Sequence, residues 1–204
     1  MGIKDSFETI ARDRGISFQY RAAAREAASG LYVHSADLFV ATQPHADTAH
    51  LAFDAVPELT LMTGGVPGLI LPCEWQKRAL GKRVIVAWNA SREATRALHD
   101  ALPILRAAEL VVIFAFERHY DAKKADMDAL VAHLADHGIR ARVEAWPDTG
   151  DMDAVSALFA SLDSEDIDLI VAGAYGHSRW LEGLFGGVSR DLMRQQTMAV
   201  LMSH

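Results

Sequence analysis

Between Lys82 and His204, short β-branched runs alternate with stretches whose apolar residues recur every three or four positions. Arg83 to Trp88 (RVIVAW) predicts a strand. Asn89-Ala90-Ser91 then supplies capping residues for a helix with Ala94, Ala97, Leu98, Ala101, Leu102 and Leu105 on its inward face. Leu110 to Phe116 predicts the second strand, and Asp121 caps a helix that buries Met127, Leu130, Val131 and Leu134 and stops at Gly138. Ile139 to Trp146 reads as the third strand. Asp151 opens a helix with Val155, Leu158, Phe159 and Leu162 inward, and Asp168 to Ala172 and Met198 to Met202 complete the series as strands four and five. Nearly continuous apolar strands separated by helices call for an α/β fold, a parallel sheet with helices on both faces.

The first part of the chain echoes the second. Asp37-Leu38-Phe39-Val40-Ala41-Thr42 resembles Asp168-Leu169-Ile170-Val171-Ala172-Gly173, and Leu69-Ile70-Leu71 stands at the same offset of 131 from Val200-Leu201-Met202. Upstream, Phe7, Ile10 and Ala11 predict a helix ending at Gly15, Ile16 to Arg21 a strand, and Ala22 to Ser35 a helix. This reads as the back half of the later unit, giving an incomplete repeat over residues 1–75 and a complete one over residues 80–204. The boundary falls near Pro72 to Gly81.

Candidate chemistry lies in the segment GAYGHSRWLEGLFGGVS, from Gly173 to Ser189. Gly173 and Gly176 lack a Cβ, so backbone N–H groups there can approach an anion closely. Nine residues later Gly186-Gly187-Val188-Ser189 precedes Arg190-Asp191-Leu192-Met193, which can open a helix whose free N–H groups face the same ligand. In the first copy Thr42, His45, Ala55 and Val56 stand where Gly173, Gly176, Gly186 and Gly187 stand in the second, so that copy is not expected to hold a phosphate.

On these residues the chain resembles the universal stress protein family, whose nucleotide-binding members carry G-x-x-G, nine residues, then G-[S/T] after the fourth strand. Gly173-x-x-Gly176, nine residues and Gly186-Gly187 follow that spacing, supported by the strand end Val86-Ala87-Trp88-Asn89-Ala90-Ser91 and the closing Met198-Ala199-Val200-Leu201. The resemblance implies a five-stranded parallel sheet of order 3-2-1-4-5 and, in some members, ATP or a related adenine nucleotide such as AMP. It places Asn89 near the adenosine moiety, Gly176, Gly186, Gly187, Val188 and Ser189 along the phosphates, and Trp88 and Gly173 among the residues of the same crevice. The chain departs from the pattern twice: Asn89 stands where the family has an aspartate, and Gly187 where it has a hydroxyl residue. The first loses a charged acceptor for sugar hydroxyls, so weak binding is expected.

Composition narrows the partners. With 204 residues, half of them hydrophobic, the chain can bury a core, and its formal charge of -7 offers no basic surface for nucleic acid or anionic lipid. Cys73 is the single cysteine and is expected to be a small packed hydrophobe in a reducing, cytoplasmic setting. No apolar run approaches the length of a membrane span.

His133 and His137 share metal-ligand spacing on one helix but lack a third ligand, so a solvated face and no metal are expected. His45, His50 and Asp47 are read as a solvated polar loop. His177 and Arg179, inside the glycine segment, are read as surface charge, with contact to phosphate oxygens as the alternative. Ser178 misses the nucleophile-elbow pattern at its last position, and Trp180, Leu184 and Phe185 suit packing. The leading expectation is a non-catalytic stress-response homodimer that binds an adenine nucleotide. The rivals are a nucleotide-free interaction module of the same fold and a slow ATP hydrolase.

Overall fold

The computed structural model describes residues 2–19, 32–43, 56–75, 79–117, 120–147, 154–174, 192–193 and 197–204. Twelve principal elements follow in chain order: α1 (Ile3–Arg14), β1 (Phe39–Thr42), α2 (Val56–Gly64), β2 (Gly68–Leu71), β3 (Arg83–Trp88), α3 (Arg92–Ala107), β4 (Leu110–Glu117), α4 (Tyr120–Asp136), β5 (Ala141–Pro147), α5 (Ala154–Glu165), β6 (Leu169–Gly173) and β7 (Ala199–Ser203). The strands form one sheet in the order β1-β2-β7-β6-β3-β4-β5. Within residues 83–203 every pairing is parallel, and the order reads third, second, first, fourth, fifth.

Two apolar layers cover the faces. On one, Val84, Val86, Val111, Ile113, Leu169 and Val171 pack against Ala97, Leu98, Ala101 and Leu105 of α3 and Met127 and Leu134 of α4. On the other, Ile85, Val112, Phe114, Ile170 and Val200 pack against Leu61 of α2, Ala157 and Leu158 of α5, and Leu192 and Met193. The period-two alternation of strand side chains sorts these residues, and burial on both faces explains why the strands look continuously apolar in sequence.

β1 and β2 extend this sheet rather than forming one of their own. β1 runs parallel to β2, and β2 runs antiparallel to β7, with Leu69 opposite Leu201 and the pairs Gly68–Met202 and Ile70–Val200 on either side. A half-turn about the Leu69–Leu201 pair therefore carries Gly68 onto Val200 and Ile70 onto Met202, an offset of 132 rather than 131. The parallel registers Phe39–Gly68 and Ile170–Val200 then carry Phe39 onto Ile170, at the expected offset of 131. The sequence match of Leu69 to Val200 is thus one residue out. The physical reason is the pleat: Leu69 and Leu201 belong to one apolar layer and Val200 to the other, and a one-residue slip would exchange the faces.

Other expectations differ at the N-terminus. Helix α1 ends at Gly15 with φ 62° as the pattern predicts, but residues 16–19 are not in a strand, because Ile16 and Phe18 are exposed and have no apolar layer to join. Residues 20 and 21 and most of the predicted 22–35 helix lie outside the described residues; Val33–Ser35 forms a single 3-10 turn. Helix α2 was not anticipated from the hydrophobic pattern. Cys73 is exposed rather than packed, and its thiol donates to the Gln43 carbonyl at 2.6 Å.

Two polar ties fasten the first part of the chain to the second, and a third holds the segment that follows the boundary. Gln43, 1% exposed beyond the end of β1, donates its Nε2 to the carbonyls of Leu192 and Met198, each at 3.2 Å. Arg96 on α3 donates to the Gly65 carbonyl and to Asp100, whose Oδ2 also accepts from the buried Ser203 hydroxyl at 2.9 Å. Asp168 accepts from the N–H groups of Gly81 and Lys82, both at 2.9 Å, and so pins the connecting segment to the start of β6. Replacing Gln43 with Ala removes two bonds and leaves two carbonyls to be resatisfied, so we expect a loss of about 1–3 kcal/mol in chemical denaturation. A midpoint unchanged from wild type would show that this cross-tie contributes nothing.

Candidate functional site

The site predicted from sequence lies where β3 and β6 end side by side, in parallel register from Val84–Leu169 to Ala87–Ala172. From β3 the chain turns into α3, which packs on β6 and β7 within one apolar layer. Beyond β6, the described residues Ala174, Leu192 and Met193 lie in the opposite layer. Two connections leaving neighbouring parallel strands toward opposite faces open a crevice at the carboxyl ends of those strands.

The turn out of β3 is built by its own polar side chains. Asn89 Oδ1 accepts from the Ser91 N–H at 3.1 Å, and Ser91 Oγ, at the helix N-cap, accepts from the Ala94 N–H at 3.1 Å. Between them Ala90 has φ 58°, the left-handed region that residues with a Cβ seldom occupy. The Asn89 acceptor is therefore engaged in a tight Asx turn. Trp88, the last residue of β3, is half-buried against the layer that contains α3.

Gly173 stands at the end of β6, and the reason it must be glycine is the close approach of a helix. A Cβ built there would come within 2.5 Å of the Ala94 nitrogen and 2.6 Å of the Glu93 carbonyl carbon. The first turn of α3 thus lies flush on Gly173, as a glycine placed for helix–strand packing allows. The space that a Cβ of Gly173 would take is filled by the backbone of α3, so the missing Cβ serves packing there. Gly176, Gly186, Gly187, Val188 and Ser189 lie outside the described residues, as do His45, Asp47, His50, His177, Ser178, Arg179, Trp180, Leu184 and Phe185.

Glu93, which the sequence pattern did not single out, is 6% exposed at the second position of α3. Its Oε1 lies 3.3 Å from Arg92 Nη2, and the Arg92 side chain is 83% exposed. The available signal was an acidic residue two places after a Ser N-cap, in a helix that directly follows the first strand of the unit.

His133 and His137 do not form a solvated face. Their rings meet edge to face with centroids 4.7 Å apart, His99 of α3 lies 5.4 Å from His133, and the His133 Nε2 is buried without a hydrogen bond. Arg106 donates to His137 Nδ1 at 2.9 Å, so the half-buried His133 and His137 and the exposed His99 cluster where α3 and α4 meet. Among the described residues no group of three or more His, Cys, Asp or Glu side chains is arranged to hold a metal, and no helix is long and apolar enough to cross a membrane.

Replacing Gly173 with Ala drives a methyl into backbone rather than into a side chain that can swing away. We expect a loss of about 1–3 kcal/mol, the ordinary cost of overpacking. A thermal melt within a degree of wild type would show that α3 can move off β6 freely.

No family profile matches the sequence, and no curated protein does. Solved structures do match the fold. A universal stress protein from Archaeoglobus fulgidus DSM 4304 is similar with a TM-score of 0.68 at 20% identity, over 98% of this chain and 77% of that one. A protein described as a universal stress protein from Pseudomonas aeruginosa UCBPP-PA14 is similar with a TM-score of 0.60 at 14% identity, over 100% of this chain and 78% of that one. A protein of unknown function from Pseudomonas aeruginosa PAO1 is similar with a TM-score of 0.62 at 12% identity, over 98% of this chain and 76% of that one. The chain therefore has the universal stress protein fold.

Proposed function

We propose that this is a cytoplasmic stress-response protein that binds an adenine nucleotide, ATP or AMP, weakly and without catalysis in the crevice between the ends of β3 and β6. One observation carries the reading: α3, which follows β3, lies on one face, whereas Ala174, Leu192 and Met193, which follow β6, lie in the opposite layer, and such switch points are where open α/β sheets take ligands. The glycine spacing from Gly173 to Ser189 supports a phosphate cradle beside it. The absence of catalysis rests on the sequence pattern, in which no nucleophile, base and orienting acid fall together. Residues 1–75 are read as an incomplete copy of the later unit, a reading supported by the half-turn that relates β1 and β2 to β6 and β7.

A specific observation favours the second reading, a nucleotide-free interaction module. The Asn89 acceptor is engaged by the Ser91 N–H, and the Gly173 approach is filled by α3, so two of the predicted ligand positions have structural duties. Thermal melts decide between the readings. Millimolar ATP or AMP is expected to raise the melting temperature by mass action, with no phosphate release above background and with the shift lost in Gly176→Val. No shift and no heat in calorimetry would leave the interaction module. Phosphate release proportional to protein concentration would favour the slow hydrolase.

The proposed homodimer rests on the edge of the sheet. Among the described residues β1 has a neighbour on one side only, and its Val40 is 60% exposed, beside Leu38 at 37%. An open apolar edge strand recruits a partner. Light scattering over a dilution series is expected to report a dimer at micromolar concentration that Val40→Lys dissociates. A wild-type monomer under those conditions would remove the proposal.

A further inference from the structure

Glu93, buried at the second position of the helix that begins at the carboxyl end of β3, carries a charge that neither the sequence motif nor the local turn explains. Its side chain is 7% exposed, yet its ion-pair partner among the described residues is Arg92, a side chain 83% exposed, at 3.3 Å. A carboxylate removed from water needs donors, and an exposed arginine is a weak and easily displaced one. The helix places it well for a ligand. Side chains on an α-helix tilt toward its N-terminus, and the N-terminus of α3 lies at the carboxyl ends of β3 and β6. The backbone of Glu93 is fixed there by its contact with Gly173, and the Ser91 cap orients the turn that carries it.

A negative charge at the start of this helix disfavours phosphate and favours hydrogen-bond donors. The donors a nucleoside presents in a pair are the vicinal hydroxyls of its sugar, which a carboxylate recognises in dinucleotide-binding folds. Asn89 is poorly placed to serve, because its Oδ1 already accepts from the Ser91 N–H. We propose that Glu93 is the sugar-reading residue of the crevice, accepting hydrogen bonds from the ligand's vicinal hydroxyls once Arg92 swings aside. This rests on the nucleotide reading above and adds to it a selectivity for ribonucleotides.

The test compares ATP with its 2′,3′-dideoxy analogue by calorimetry on the full chain, in wild type and in Glu93→Gln. Loss of charge-assisted bonds is worth roughly tenfold to a hundredfold in affinity, so wild type is expected to prefer ATP by at least about that lower factor. Glu93→Gln is expected to lose most of the preference while its affinity for the dideoxy analogue stays within about threefold of wild type. Equal wild-type affinity for the two ligands overturns the assignment and leaves nucleotide binding intact. A preference that survives in Glu93→Gln overturns it as well. Failure of both ligands to bind overturns both readings. The wild-type comparison needs no variant, so it stands even where Glu93→Gln does not fold.

Discussion

The burial of β7 is the constraint on which the rest of the structure depends. All five of its residues are buried, with β6 parallel on one side and β2 antiparallel on the other. A strand in that position must satisfy two ladders and two apolar layers at once. The alternation of its side chains therefore fixes which residues of β2 can face it. That requirement explains the one-residue shift between the sequence echo and the paired strands: Leu69 must meet Leu201 to keep its face. It also explains why the short strands β1 and β2, four residues each, persist at all. A two-stranded parallel pair is not stable alone, but as an extension of a buried sheet it needs only a helix over one face and a few polar ties.

The same economy is visible in α3. Its apolar stripe covers β6 and β7, its first turn rests on Gly173, and Arg96 and Asp100 reach the turn before β2 and the end of β7. One helix thus positions the crevice wall and braces the junction between the two parts of the chain. A change at Gly173 would disturb both. Loss of ligand binding in such a variant would not by itself show that Gly173 touches the ligand, whereas Glu93→Gln alters a side chain and leaves the packing contact in place.

Much of the fold was legible from residues 82 to 204. The strands from β3 to β7 and the helices α3 and α4 fall within a few residues of their expected places, because β-branched runs and three-and-four spacing express the packing directly. The N-terminal part was less legible. Ile16 and Phe18 have the residue types of a strand, but type alone does not supply a neighbour, and α2 carries an apolar composition that periodicity does not separate from a loop or strand. Of the expected site residues, Trp88, Asn89 and Gly173 lie at the ends of β3 and β6, as the strand pattern implied. Their roles were not legible, since the Asx turn at Asn89 and the backbone contact at Gly173 depend on where α3 lies.

The sequence by itself determined the alternation of strand and helix, the capping of α3 by Ser91, and the glycine at the end of β6, because each is a local matter of side-chain size and hydrogen-bonding capacity. Only the tertiary structure decided that β2 joins β7 antiparallel at Leu69 and Leu201, that Gln43 reaches across to Leu192 and Met198, and that Glu93 is buried beside the crevice. Those features arise from contacts between residues far apart in the chain. Their identity depends on register and on the face each strand presents, and no local pattern encodes either.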